Sequence, residues 1–322
     1  MRKYLLWITL ALLTALTACS EDEWKGVSRD IPFFHNTPLP DHADSLRILA
    51  IGNSYTTDGT AYIASMARDL GIDSTSYSLY TLTRGGASLK FWSGMLRDTV
   101  TFSLTKVAGT EVGTGRKAIR TSGKLRELLS QHWDIVVLQQ FSHEATDYQS
   151  YNPYLRILIE AVRTEGRNPQ VSIAWQLVHA YGTGYEGNNG LVGDQRWEGI
   201  ASVTSQMSQR EGVDIIIPTG TAIQIARHTE LQNEYDLTRD YVHLCYGVGR
   251  YIAAATWLQA LFAPIYGIDV THCTATHHLN AYELTDTATG FIPASSVEVT
   301  EQNRSQCLEC AREACRHPFS LR

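Results

Sequence analysis

Apolar runs alternating with helical segments constrain this chain more than any other feature. The runs are "LRILAIG" (46–52), "STSYSLYTLT" (74–83), "WDIVVLQQ" (133–140), "QVSIAWQL" (170–177) and "VDIIIPTG" (213–220). Helical spacing of apolar residues marks 60–71, 123–132, 154–166, 194–212 and 246–262. Strands that are apolar throughout, separated by helices, need a parallel sheet covered on both faces. The expected fold is therefore a three-layer α/β/α sandwich with a five-stranded, mostly parallel sheet. Ligands of such sheets bind beyond the carboxyl ends of the strands.

The first of those ends carries "GNSYT", with Ser54 between a strand and a helix. A serine there is either a helix cap or a nucleophile. A nucleophile needs a base, a group that orients the base, and oxyanion donors. The glycine-flanked elbow G-x-S-x-G is absent, which disfavours an ordinary α/β-hydrolase. Two Asp-x-x-His pairs supply candidate bases: Asp240 with His243, and Asp269 with His272. The first follows the last strand by one loop and is read as opening the helix over 246–262, with Asp240 as a possible N-cap. The second lies past the sheet.

Taken together, "ILAIGNSYT", "TRGGASL", "DIVVLQQFSHEA" and "DYVHLCYGVGRYIAAA" resemble the four blocks of the SGNH (GDSL-type) hydrolase superfamily. The resemblance runs from about 46 to 263 and is greatest to a lipoprotein branch without assigned function. It implies a flavodoxin-like sheet and a triad of Ser54, His243 and Asp240. In the "RGG" turn, Gly86 matches the oxyanion-hole position better than Gly85. Two departures stand out. Asn53 replaces the usual Asp before the serine, and the third block lacks its asparagine donor. A glutamine amide offers the same donor on a longer arm, and Gln140 is expected to fill that place ahead of Gln139.

Other residues are weaker candidates. His143 and His179 lie just past strand ends, as loop residues or substrate contacts. Trp175, Tyr181 and Tyr185 precede the glycine-rich "EGNNGLVG", which has the composition of a lid with aromatic faces for a sugar; core packing is the alternative. Cys307, Cys310, Cys315 and His317 are spaced too tightly for a usual four-ligand zinc site. Disulfides among these three cysteines, with Cys245 or Cys273 as further partners, are expected instead in an exported protein, and the odd number of five leaves at least one thiol unpaired. No phosphate-binding loop appears, and the chemistry requires no cofactor.

The N-terminus pairs Arg2 and Lys3 with a short apolar run and "LTAC". It resembles a lipoprotein signal ending at a lipidated Cys19, and "SEDE" resembles the acidic tag of surface lipoproteins. The expected organisation is a signal peptide (1–19), a tether (20–45), a hydrolase-like domain (46–263) and a cysteine-containing extension (264–322). A net charge of -6 without a Lys/Arg-rich run excludes a nucleic-acid surface. The resemblance implies a serine esterase acting on an acylated, in particular acetylated, glycan at the outer membrane or cell surface. Hydrolysis of a lipid or thioester, or a non-catalytic glycan-binding lipoprotein with the same fold, are the alternatives.

Overall fold

The computed structural model describes residues 46–97, 100–108, 117–123, 125–188, 190–276 and 296–321. The signal peptide, Cys19 and the tether lie outside these residues. Five parallel strands form as expected: β1 (Leu46–Gly52), β2 (Tyr77–Thr83), β5 (Ile135–Leu138), β6 (Ser172–Gln176) and β7 (Ile215–Ile217). Two more, β3 (Val100–Ala108) and β4 (Lys117–Gly123), extend the sheet as an antiparallel hairpin on β2. The sheet therefore has seven strands, in the order β4-β3-β2-β1-β5-β6-β7. The hairpin comes from the stretch between the second and third apolar runs, whose polar residues hide its strand character.

Alternate residues of β1 serve opposite layers. Ile48 and Ala50 belong to one buried cluster, Leu49 and Ile51 to the other. A strand covered on both faces buries nearly every side chain, which is why β1 is a continuous apolar run apart from Arg47. Chain order reverses at β1, with β2 on one side and β5 on the other. A crevice opens at such a reversal, beyond the carboxyl ends of the strands.

The helices that flank the site are α1 (Ser54–Gly59), α2 (Ile63–Asp69), α3 (Leu89–Gly94), α4 (Leu125–Leu129), α5 (Tyr154–Glu165), α6 (Gly193–Glu211), α7 (Thr219–Arg227) and α8 (Val248–Trp257). A further helix, α9 (Glu301–Arg316), forms within the expected extension. It begins with a capping box between Thr300 and Asn303. Its inner face, including Cys307, Leu308, Cys310, Ala311, Ala314 and Cys315, joins the main core cluster. The expected disulfides are not formed. Cys245, Cys273, Cys307, Cys310 and Cys315 are buried free thiols that pack as small hydrophobes, and burial raises the pKa of each.

Residues 296–299 run against the start of α8. Val248 N–H donates to the Val297 carbonyl at 2.8 Å, and Tyr246 N–H to Ser296 Oγ at 3.1 Å. A Cβ on Gly247 would lie 1.9 Å from the Val297 carbonyl oxygen. Gly247→Ala should therefore cost about 1–3 kcal/mol, the usual range for overpacking. Urea unfolding measures this, and an unchanged midpoint would show that the 296–299 segment is not docked this way.

Candidate active site

The turn that carries Ser54 is built from residues at the ends of β1 and β5. β1 stops at Gly52, where a Cβ would sit 2.2 Å from Thr56 Oγ1 and 2.8 Å from the Gln139 side chain. Asn53 caps α1 by accepting from Tyr55 N–H through Oδ1 at 3.0 Å, and Ser54 opens the helix. Ser54 Oγ lies 2.9 Å from His243 Nε2, and His243 Nδ1 lies 2.7 Å from Asp240 Oδ2. A carboxylate only accepts, so the proton sits on Nδ1 and Nε2 is free to take the serine proton.

Asp240 is not the cap of α8, which begins at Val248 behind Gly247. It sits at the tip of a tight loop closed by the Thr238–Leu244 bridge and by Arg239 N–H on the His243 carbonyl at 2.9 Å. Its Oδ1 accepts from Val242 N–H at 3.0 Å and His243 N–H at 2.6 Å. Partial burial alone would raise its pKa, but the bonds from the His243 ring and the two backbone N–H groups outweigh it and hold the carboxyl well below the ordinary range. Tyr241 is left-handed at φ 62°, a conformation a bulky residue keeps only under constraint. Part of that constraint is Gly182 N–H on its carbonyl at 2.7 Å.

The helix bearing Ser54 holds this loop on both sides of His243. The Val242 carbonyl accepts from Tyr55 Oη at 2.7 Å and from His179 Nε2 at 2.8 Å. The Tyr55 and His179 rings stack 4.0 Å apart. Burial, with the Arg227 charge nearby, pushes the His179 pKa down to about 3, so this ring is a neutral donor. Leu244 N–H donates to Asp58 Oδ2 at 3.1 Å. Asp58 is fully buried and paired with Arg250 at 2.7 Å and Arg239 at 3.2 Å. Burial would raise its pKa, but the two guanidiniums outweigh it and lower it.

Gly86 has the left-handed φ of 66° that glycine tolerates. Its N–H has no acceptor among the described residues. The first N–H groups of a helix have no intrahelical partner either, so Ser54 and Gly86 present two backbone donors. Gln140 corrects the expectation. It is fully buried, its Nε2 donates to the Ser150 carbonyl at 3.0 Å and to Ser150 Oγ at 2.9 Å, and its Oε1 accepts from Leu89 and Phe141 N–H. Both amide hydrogens are committed to a loop, leaving none for an oxyanion. Gln139 instead donates to Asn53 Oδ1 at 2.7 Å and accepts from Thr56 Oγ1 at 2.7 Å.

The remaining candidates separate by depth. Trp175 is core, 5.5 Å from Tyr151. Tyr181 is buried, with its hydroxyl donating to Ser142 Oγ at 2.8 Å. His143 is exposed, its Nδ1 3.0 Å from Tyr181 Oη and its Nε2 3.3 Å from Tyr185 Oη. Phe141 lies 5.2 Å from the His143 ring and beside Gly86. A rim of Phe141, His143 and Tyr185 thus starts at the Gly86 turn. The second pair does not join: Asp269 Oδ1 binds Thr271 N–H and Oγ1.

Tyr55, Asp58, His179, Arg239 and Arg250 carry roles the sequence did not reveal. A buried acid one helical turn after the serine was the available signal.

The sequence matches the family described as "Domain of unknown function (DUF4886)" over residues 47–275. A solved DUF4886 family protein from Bacteroides uniformis is similar at 24% identity and a TM-score of 0.69, over 86% of this chain and 97% of that one. Axe2, an acetyl-xylooligosaccharide esterase from Geobacillus stearothermophilus, aligns at 15% identity and a TM-score of 0.46, over 69% of this chain and 97% of that one. None of the curated proteins matches.

Removing one partner of a buried ion pair strands the other charges, at about 3–5 kcal/mol. Asp58→Asn should lose stability in that range at neutral pH. Because the folded pKa of Asp58 is depressed, its contribution is present above about pH 4 and fades as pH falls through the folded value. The gap between wild type and variant should therefore narrow in acid. Denaturant titrations at several pH values test this; a gap independent of pH would show that the charge is not what matters.

Proposed function

Since the chain belongs to the DUF4886 family, we propose from its own side chains that it is a serine esterase. One observation carries this: the Ser54–His243–Asp240 chain, at 2.9 and 2.7 Å, at the carboxyl end of β1. Ser54 Oγ attacks the ester carbonyl while His243 Nε2 takes its proton. The Ser54 and Gly86 N–H groups meet the oxyanion. Collapse expels the alcohol, protonated by His243, and leaves an acyl-serine. Water, deprotonated by His243, then releases the acid and restores Ser54. Asp240 holds the Nδ1–H tautomer and stabilises the imidazolium.

The finer reading is an acyl, in particular acetyl, ester on a glycan. Phe141 offers an apolar ring face beside Gly86, and His143 and Tyr185 add rings with polar edges, a match for a sugar, whose ring is apolar on its faces and hydroxylated at its rim. Lipid attachment at Cys19 would hold the enzyme at the outer membrane or cell surface. The non-catalytic, glycan-binding alternative rests on Asn53 and the missing asparagine donor. The assembled triad speaks against it.

Purified protein lacking residues 1–19 should cleave small acetyl esters and acetylated oligosaccharides. Ser54→Ala or His243→Ala should lose about 10⁴-fold or more, while His272→Ala keeps nearly full rate. Equal rates in wild type and Ser54→Ala remove the mechanism. The rim predicts a preference for the oligosaccharide over a simple alkyl acetate in kcat/KM.

For the anchor, the full chain and Cys19→Ala are compared by detergent partitioning. The variant should move to the aqueous phase. If it stays with the membrane fraction, Cys19 is not the attachment point.

A further inference from the structure

We propose that Asn53 is the positioning residue that sets the oxyanion hole, and that its departure from the usual Asp serves this role. The proposal rests on the reading of Ser54 as nucleophile. The turn that carries Gly86 is closed by Ala87 N–H on the Arg84 carbonyl at 3.1 Å. It is stapled to the nucleophile turn at both ends. Arg84 N–H donates to the Gly52 carbonyl at 3.3 Å, and Asn53 Nδ2 donates to the Ala87 carbonyl at 3.1 Å. Gly85 and Gly86, the flexible residues between, are thereby registered against Ser54.

The amide orientation of Asn53 follows from its neighbours. Tyr55 N–H can only donate, so Oδ1 faces it; the Ala87 carbonyl can only accept, so Nδ2 faces that. Gln139 must then present its Nε2 to Oδ1, and its Oε1 takes the Thr56 hydroxyl. Asn53 is 2% exposed, so water cannot replace a lost partner. An aspartate would keep both bonds to Oδ1. Its other oxygen, however, would face the Ala87 carbonyl, acceptor against acceptor, and the second staple would open. Asparagine is the side chain of this size that caps a helix and also donates.

The test compares wild type, Asn53→Asp and Asn53→Ser, which keeps a cap acceptor without charge or a reaching donor. Two readouts apply: acetyl ester kinetics, and the rate of labelling by a fluorophosphonate, located by mass spectrometry. In labelling, the Ser54 Oγ–P bond forms, P–F breaks, fluoride leaves and His243 takes the hydroxyl proton. The phosphoryl oxygen uses the same hole. Losing a whole donor costs about 10²–10³ in turnover, so a displaced one should cost roughly 10- to 100-fold. Both variants should lose kcat and labelling rate by similar factors, with KM within about threefold and cooperative melting retained.

Equal rates in all three proteins overturn the proposal. So does a loss confined to Asn53→Asp, which would reflect charge alone, or a loss that appears in KM. If Asn53→Asp does not fold, Asn53→Ser decides. A wild type labelled at Ser54 that cleaves no acetyl ester defeats the esterase reading and leaves the labelling comparison to judge Asn53. A wild type not labelled at Ser54 removes both.

Discussion

The site depends on one buried carboxylate. Asp58 lies one helical turn beyond Ser54, so wherever it is fixed Ser54 is fixed too. It is also the partner of Arg239, Arg250 and Leu244 N–H, which frame the loop carrying Asp240 and His243. A lone buried charge is costly, and a paired one stabilises only when its hydrogen bonds are complete. Here both oxygens are used, and the two guanidiniums sit 4.8 and 4.6 Å over the Tyr246 ring. The arrangement contributes little net stability over an apolar core. What it adds is register between two segments nearly two hundred residues apart in sequence.

That register holds a loop which would not keep its shape alone. Asp236, Leu237 and Tyr241 all have left-handed backbones, at φ 52°, 59° and 62°, each costing about 1–3 kcal/mol for residues of this kind. The ties that offset the cost come from different elements. Tyr55 and His179 hold the Val242 carbonyl, Gly182 holds Tyr241, and Thr183 N–H and Oγ1 hold Asp236. Gly182 and Gly184 permit this, since a Cβ on either would meet the Tyr241 ring within 3 Å. The pair of His243 and Asp240 therefore rests on α1 and the loop after β6.

What was legible in the sequence follows from which forces act locally. Four of the five parallel strands could be read because double burial makes them largely apolar, and β2 because its residues alternate like a strand. Ser54 and the Asp240–His243 pair could be read because strand ends and short spacings are sequence properties. The hairpin of β3 and β4 was legible only as an insertion over 94–122 with "GTEVGTGRK" as a hairpin or loop, because its strands lie at the sheet edge, where polar residues suffice. α9 was missed because three of its inward residues are cysteines, which suggested cross-links before they suggested a buried face. Gln139 and Gln140 were separable only in three dimensions. Neighbours beyond a strand end point to opposite sides, so one glutamine backs the Ser54 turn and the other holds the Ser150 loop.

The same reasoning changes how the two departures from the SGNH pattern are read. Loss of Asp before the serine and of Asn in the third block looks like decay when each is taken singly. In the structure they belong to one network: Gln139 occupies the third block's strand end and binds Asn53, and Asn53 binds the Gly86 turn. A glutamine's longer arm reaches across Gly52, where no Cβ could fit. An aspartate at 53 would satisfy Gln139 and fail Ala87. A fold retained only as a scaffold would be at least as stable with apolar residues here, since each buried amide must be matched to be neutral. These are matched, and together they tie the segment on either side of Ser54 to the end of β5 and to the Gly86 turn.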